Sequence, residues 1–143
     1  MSAALTPIDF LLRAAEAFPE GAALIAAERR VSWRELALDA RQLAAALSAS
    51  GVLLGDRVAL LLPNARPLLT ALWGIPMAGA VSVALGPRHD PAALAAALAE
   101  CGAKALIIDY EYHPQAIELA GGFKGLVVDA RPGGDREHSD NLL

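Results

Sequence analysis

Ser82 and Cys101 are the side chains nearest in type to a catalytic nucleophile, a role that needs an exposed position beside a base. Neither sequence context supplies one. Ser82 lies in Ala80-Val-Ser-Val-Ala84 without flanking glycines, and Cys101 closes an apolar helical face, so both are expected to pack in a core. His89, His113 and His138 are scattered; no two have the i, i+4 spacing of a zinc-binding helix or the short spacings of a metal site, so surface or capping roles are expected. The carboxylates Glu16, Glu28, Glu35, Asp39, Asp56 and Glu118 fall at expected helix surfaces and turns, where solvated charge accounts for them, and none forms an acid–base pair by spacing. Phosphate chemistry would need backbone amides converging from a glycine-rich turn at a helix start. Gly51 and Gly55 instead flank a helix end and a strand start, with neither dinucleotide-binding nor P-loop spacing. No catalytic and no metal-ligating residue is therefore assigned.

The elements that would position such groups are better marked. Thr6, Pro7 and Asp9 form a helix start, with Ile8, Leu11, Leu12 and Ala15 on one face and an end near Phe18, just before Pro19. Ala22 to Ala27 and Arg30 to Ser32 predict a small hairpin turning at Glu28 and Arg29. Ser32 and Glu35 have the spacing of a capping box. A long helix follows, with Trp33, Leu36, Ala37, Ala40, Leu43, Ala44 and Leu47 at helical period and Gly51 as its stop. Arg57 to Leu62 has the unbroken apolar run of a strand covered on both faces. Thereafter helix and strand alternate: a helix from Ala65 to Ala78, a strand from Val81 to Leu85, a helix from Pro91 to Cys101 capped by Asp90, and a strand from Lys104 to Asp109. A weaker helix near Pro114 to Leu119 and a strand from Gly125 to Asp129 complete the series. This order predicts an α/β fold with a mainly parallel sheet and helices on both faces. Residues 1–130 are expected to form one unit, and 131–143, polar and without hydrophobic period, a loop or frayed end.

Composition narrows the partners. A chain that is 55% hydrophobic and 20% charged is globular in type, and 143 residues can bury roughly two-thirds of the unfolded surface. The net charge of -4, with Lys104 and Lys124 the only lysines, provides no basic footprint for a nucleic acid. Lone Cys101 excludes an internal disulfide and fits a reducing compartment, so the cytoplasm is expected; Met1 to Phe10 lacks the pattern of a secretory signal. No charge occurs from Pro67 to Pro87, long enough to span a bilayer. Pro76 and Gly79 interrupt that stretch, and Val81, Val83 and Leu85 alternate with Ser82 and Ala84, so a buried helix, turn and strand are expected instead.

The order of whole segments is more specific than any one residue. Val31-Ser-Trp-Arg-Glu-Leu36, then Gly51-Val-Leu-Leu-Gly-Asp-Arg-Val-Ala-Leu-Leu-Leu-Pro-Asn64, Gly74-Ile-Pro-Met-Ala-Gly-Ala-Val81 and Gly86-Pro-Arg-His-Asp-Pro91 resemble, in sequence, the N-terminal region of AMP-forming acyl-CoA synthetases. The resemblance runs from about Thr6 to Asp129 and implies a partial N-terminal subdomain of the adenylate-forming fold. It also implies an activity: a carboxylic acid joined to ATP as an acyl-adenylate, with magnesium, and then passed to coenzyme A. The Gly74 to Val81 segment, with Ile108-Asp-Tyr-Glu-Tyr112, is most similar to members acting on fatty or other aliphatic acids.

The family's phosphate loop, its aromatic-Thr-Glu motif, its ribose-binding Asp and its catalytic lysine have no counterpart here, so no cofactor is expected on this chain alone. One residue carries over. Arg88 matches an arginine of an Asn-Pro-Arg-Leu pattern that in some members meets a phosphate of coenzyme A, although Gly86 and His89 replace the usual Asn and Leu; a solvated arginine before the helix cap is the alternative. The expected function is thus the N-terminal fragment of an acyl-CoA synthetase, inactive by itself. Its expected partners are the missing remainder or further copies meeting at exposed edges. The alternatives are a standalone non-catalytic binding module and one half of a split ligase.

Overall fold

The computed structural model describes residues 5–26, 29–86, 90–109 and 116–130. The chain begins with helix α1 (Pro7–Ala17), the hairpin strands β1 (Ala22–Ala26) and β2 (Arg29–Ser32), and the long helix α2 (Trp33–Ala49). Then come β3 (Arg57–Leu61), α3 (Arg66–Met77), β4 (Val81–Ala84), α4 (Pro91–Cys101), β5 (Ala105–Ile108), α5 (Ala116–Gly122) and β6 (Leu126–Asp129). Strands β1 and β2 pair antiparallel by themselves, while the other four form one wholly parallel sheet in the order β4-β3-β5-β6.

Capping chemistry sets most helix boundaries. Both α1 and α2 begin with a complete capping box: the Thr6 and Ser32 hydroxyls accept from the amides of Asp9 and Glu35, whose carboxylates accept from the Thr6 and Ser32 amides at 2.7 Å. Asp90 caps α4 by accepting from the Ala93 amide at 2.9 Å, and Gly102, with φ of 60°, closes that helix in the left-handed conformation. The expected bounds shift most at α5, which begins at Ala116 and runs through Gly121 and Gly122. There, burial of Leu119 beside half-buried Phe123 outweighs the poor helix propensity of two glycines. The expected turn residue Arg29 is the first residue of β2; Glu28 lies outside the described residues.

Period-two alternation divides the sheet's side chains between two cores. Val58 and Leu60 of β3 and Ala105 and Ile107 of β5 join Leu47 of α2 and Ala71 and Ile75 of α3. Ala59, Leu61, Leu106 and Ile108 point the other way, against Leu94 and Leu98 of α4 and Leu119 of α5. Helices therefore cover both faces. A third cluster, of Leu11, Val31, Leu36, Ala37 and Ala40, packs α1 and the hairpin over the outer side of α2 and α3. One face of the sheet thus carries two further layers and the other a single one. Among the described residues no helix is long and apolar enough to cross a membrane, and the described part of the uncharged stretch, residues 67–86, holds most of α3, a turn and β4.

Candidate functional site

Among the described residues, two concave regions flank the sheet. The first lies at its carboxyl edge. Strand β3 feeds α3 and the neighbouring strand β4, whereas β5 feeds α5 and β6 on the other side, so the chain changes direction between adjacent β3 and β5. In parallel α/β sheets such a divergence opens a crevice where ligands commonly sit. Here a small cavity of about 220 Å³ lies on the α2/α3 side, lined by residues that include Leu43, Arg66, Thr70, Ile107 and Val128. Nothing but backbone caps the start of α3, because the N-cap position is Ala65.

Arg66 is the cation nearest that helix start, and it is already engaged. Its Nε and Nη2 both donate to Asp39 Oδ2 at 2.7 Å, tying the start of α3 to the middle of α2. Sequence placed Asp39 among solvated surface carboxylates; the structure corrects this, since its side chain keeps 23% exposure and holds Arg66. The pair spans 27 positions in sequence, and no local pattern announces it. With its guanidinium balanced by a carboxylate, the crevice offers positioning and shape but little net charge to draw a phosphate.

The second region is a groove of about 870 Å³ between α4 and α5, on the opposite face. Ala92, Ala95, Leu98, Leu119 and Phe123 supply its apolar walls, with Asp90, Glu118 and Lys124 at its edges. Arg57 fixes the end of α4 beside it, donating from Nε to the Cys101 carbonyl at 2.9 Å and from Nη2 to the Gly102 carbonyl at 3.2 Å. No sequence signal pointed to this clamp, because its carbonyl acceptors carry no residue signature.

The residues first considered for chemistry remain apart. Cys101 is half-buried against the α4/α5 core, and its thiol donates to the Leu98 carbonyl at 3.3 Å. Ser82 is half-buried on edge strand β4, and its hydroxyl oxygen is enclosed without a hydrogen-bond partner among the described residues. Glu35 is a helix cap, and Asp56 accepts from the Leu53 amide at 2.8 Å within a turn. Glu16 and Glu118 are exposed on their helices. Arg88, His89, His113 and His138 lie outside the described residues, as do residues 131–143. Among the described residues no three His, Cys, Asp or Glu side chains come together as a metal site.

Hydrogen bonding produces the resolved shifts in acidity. The Asp9 and Glu35 carboxyls are both held below their ordinary values, first by the backbone amide each accepts from and then by the capping hydroxyl. These are properties of helix starts, with the Arg66 guanidinium a lesser influence on Glu35.

The sequence pattern of the AMP-binding enzyme family matches residues 11–140. The chain is 34% identical over 112 residues to a trans-cinnamate:CoA ligase of Petunia hybrida, covering 78% of this chain and 20% of that protein. It is 36% identical over 115 residues to the acetate–CoA ligase CCL3 of Humulus lupulus, covering 80% of this chain and 20% of that protein. Among solved structures, the anthranilate CoA ligase AuaEII, in complex with anthranoyl-AMP, superposes with a TM-score of 0.79 and 26% identity over 90% of this chain and 26% of its own. A benzoate CoA ligase from Burkholderia xenovorans LB400 has the same fold, with a TM-score of 0.80 at 24% identity over 87% of this chain and 26% of its own. The chain therefore spans about a fifth of the length of the curated relatives it matches.

Proposed function

The chain belongs to the AMP-binding enzyme family, and on that premise we propose that it forms the N-terminal part of an acyl-CoA ligase that activates a carboxylic acid with ATP and transfers it to coenzyme A. The observation that carries the proposal is the match of most of this chain to the named CoA ligases over only a fifth of their length. In that role the parallel sheet and its helices are a scaffold, and the reacting groups come from elsewhere in the ligase. Neither a dinucleotide-binding nor a P-loop glycine pattern occurs in the sequence. No step of adenylation is routed through the described residues.

The relatives are named for cinnamate, acetate, butyrate and benzoate, so a short aliphatic or an aromatic acid suits this chain as well as a fatty acid. Arg88 is the proposed contact to a coenzyme A phosphate. The compartment is proposed to be the cytoplasm, from lone Cys101, although several relatives carry peroxisomal names; cell fractionation checks it.

The test has two arms. Purified alone, the chain should show no ATP–pyrophosphate exchange with acetate, butyrate, benzoate or cinnamate, and exchange above background would overturn the fragment reading. Grafted in place of the matching fifth of the hop acetate–CoA ligase, it should restore acyl-CoA formation. Arg88→Ala in that graft should raise KM for coenzyme A roughly tenfold, the worth of one charge-assisted phosphate contact, with little change in KM for ATP. A properly folded graft without ligase activity counts against the proposal.

A further inference from the structure

We propose that the open edge of β4 docks the β4 of a second copy of this chain, the two strands running antiparallel about a two-fold axis so that their sheets become continuous. Such pairing is independent of the ligase reading. The backbone gives the first reason. The amides of Val81 and Leu85 donate to the Asp56 and Leu60 carbonyls at 2.8 Å, so the alternate residues Ser82 and Ala84 turn their backbone groups away from β3. Among the described residues no strand pairs with that outer side. A row of open donors and acceptors is a template for another strand.

Charge and side chains narrow the choice of strand. Sheet edges are ordinarily guarded by charge, by proline or by irregular pairing. The hairpin carries Arg29 and Arg30 and a register shift between Ala22 and Leu24, and the opposite edge strand, β6, follows Lys124 and ends in Asp129. Strand β4 has no such guard: Val81 to Ala84 pair in regular register, and no charge occurs from Pro67 to Gly86. An apolar patch lies at its amino end, where Leu53 and Leu54 are 67% and 88% exposed and Val81 is 49% exposed. Gly55 ties that turn to the strand by donating to the Gly79 carbonyl at 2.8 Å, and Leu54 Cδ1 lies over Gly79. The nearest charges are turned elsewhere. Asp56 accepts from the Leu53 amide, and the Arg57 guanidinium reaches the Cys101 and Gly102 carbonyls.

The strand that fits is therefore uncharged, small at its pairing positions and flanked by apolar side chains. A second β4 meets that description. A two-fold axis beside Val83 sets Ser82 of each copy opposite Ala84 of the other, which satisfies the outward N–H and C=O groups of both residues. Exposed Phe10, by contrast, lies on α1, where no backbone row is open.

Sedimentation equilibrium and amide exchange on the 143-residue chain test the pairing. Raising the concentration about a hundredfold, into the high micromolar range, should carry the average mass from one chain toward two. Over that range the Ser82 and Ala84 amides should exchange at least about tenfold more slowly, while the Val81 and Leu85 amides, already bonded to β3, should be protected throughout. Ala84→Lys, a charged guard at an exposed edge position, should keep the chain monomeric, and Phe10→Lys should leave dimerisation unchanged. If Ala84→Lys fails to fold, Val81→Lys takes its place. A chain that stays monomeric at every concentration overturns the proposal, whatever else lies on the edge. So does a dimer with unchanged exchange at Ser82 and Ala84, one that survives the folded lysine variant, or one lost with Phe10→Lys. Growth past two copies overturns it as well, because a two-fold contact closes on itself.

Discussion

At the scale of single residues, the chain's polar side chains serve the backbone before they serve any substrate. Asp9 and Glu35 are acidic helix caps whose carboxyls titrate below their ordinary values of 3.8 and 4.5 because the charged form accepts two hydrogen bonds. A depressed folded value means the stabilisation is fully present above the ordinary value and is lost as pH falls through the lower, folded one. The melting difference between wild type and the double variant Asp9→Asn, Glu35→Gln should therefore be constant above about pH 5 and shrink below about pH 4, as thermal melts across pH would record. Ser82 shows the opposite situation. Its enclosed hydroxyl has no partner among the described residues, so Ser82→Ala should stabilise the isolated chain by about 1 kcal/mol, readable as a small rise in the urea midpoint.

At the scale of elements, the helices were legible wherever a local rule set them. Thr6 with Asp9, Ser32 with Glu35, and Asp90 at the start of α4 all act as the sequence implies, because a cap involves residues within one turn of each other. Contacts between elements follow no such rule. Gly74 sits inside α3 where propensity favours alanine, yet a β-carbon there would lie 2.9 Å from the Ala40 carbonyl oxygen and 2.9 Å from Leu43 Cδ2 of α2. A backbone oxygen cannot swing aside as a side chain can. Gly74→Ala should therefore destabilise the chain by about 1–3 kcal/mol against a propensity gain of about 1, measured by urea unfolding. An unchanged or higher midpoint would show that α2 and α3 can separate without loss.

At the scale of the whole molecule, the two faces of the sheet are unlike: α1 and the hairpin lie outside α2 and α3, whereas among the described residues no element lies outside α4 and α5. If the chain forms the N-terminal part of a CoA ligase, acyl-CoA formation should appear in the graft and in neither isolated piece.

Sequence by itself determined the alternation of helix and strand, the parallel sheet and the family, because hydrophobic period, capping pairs and segment order are all written within short stretches of chain. Arg88 was nameable from its segment alone, though it falls outside the described residues. Only the tertiary structure decided that Asp39 holds Arg66, that Arg57 clamps the end of α4, and that Gly74 is required by the neighbouring helix. It also decided that the alanines of α4 face outward beside an open groove, where composition alone had left them indistinguishable from core. The physical reason is common to all four. Each depends on groups brought together from distant parts of the chain, and a one-dimensional pattern carries no information about which side of the sheet a crossover takes.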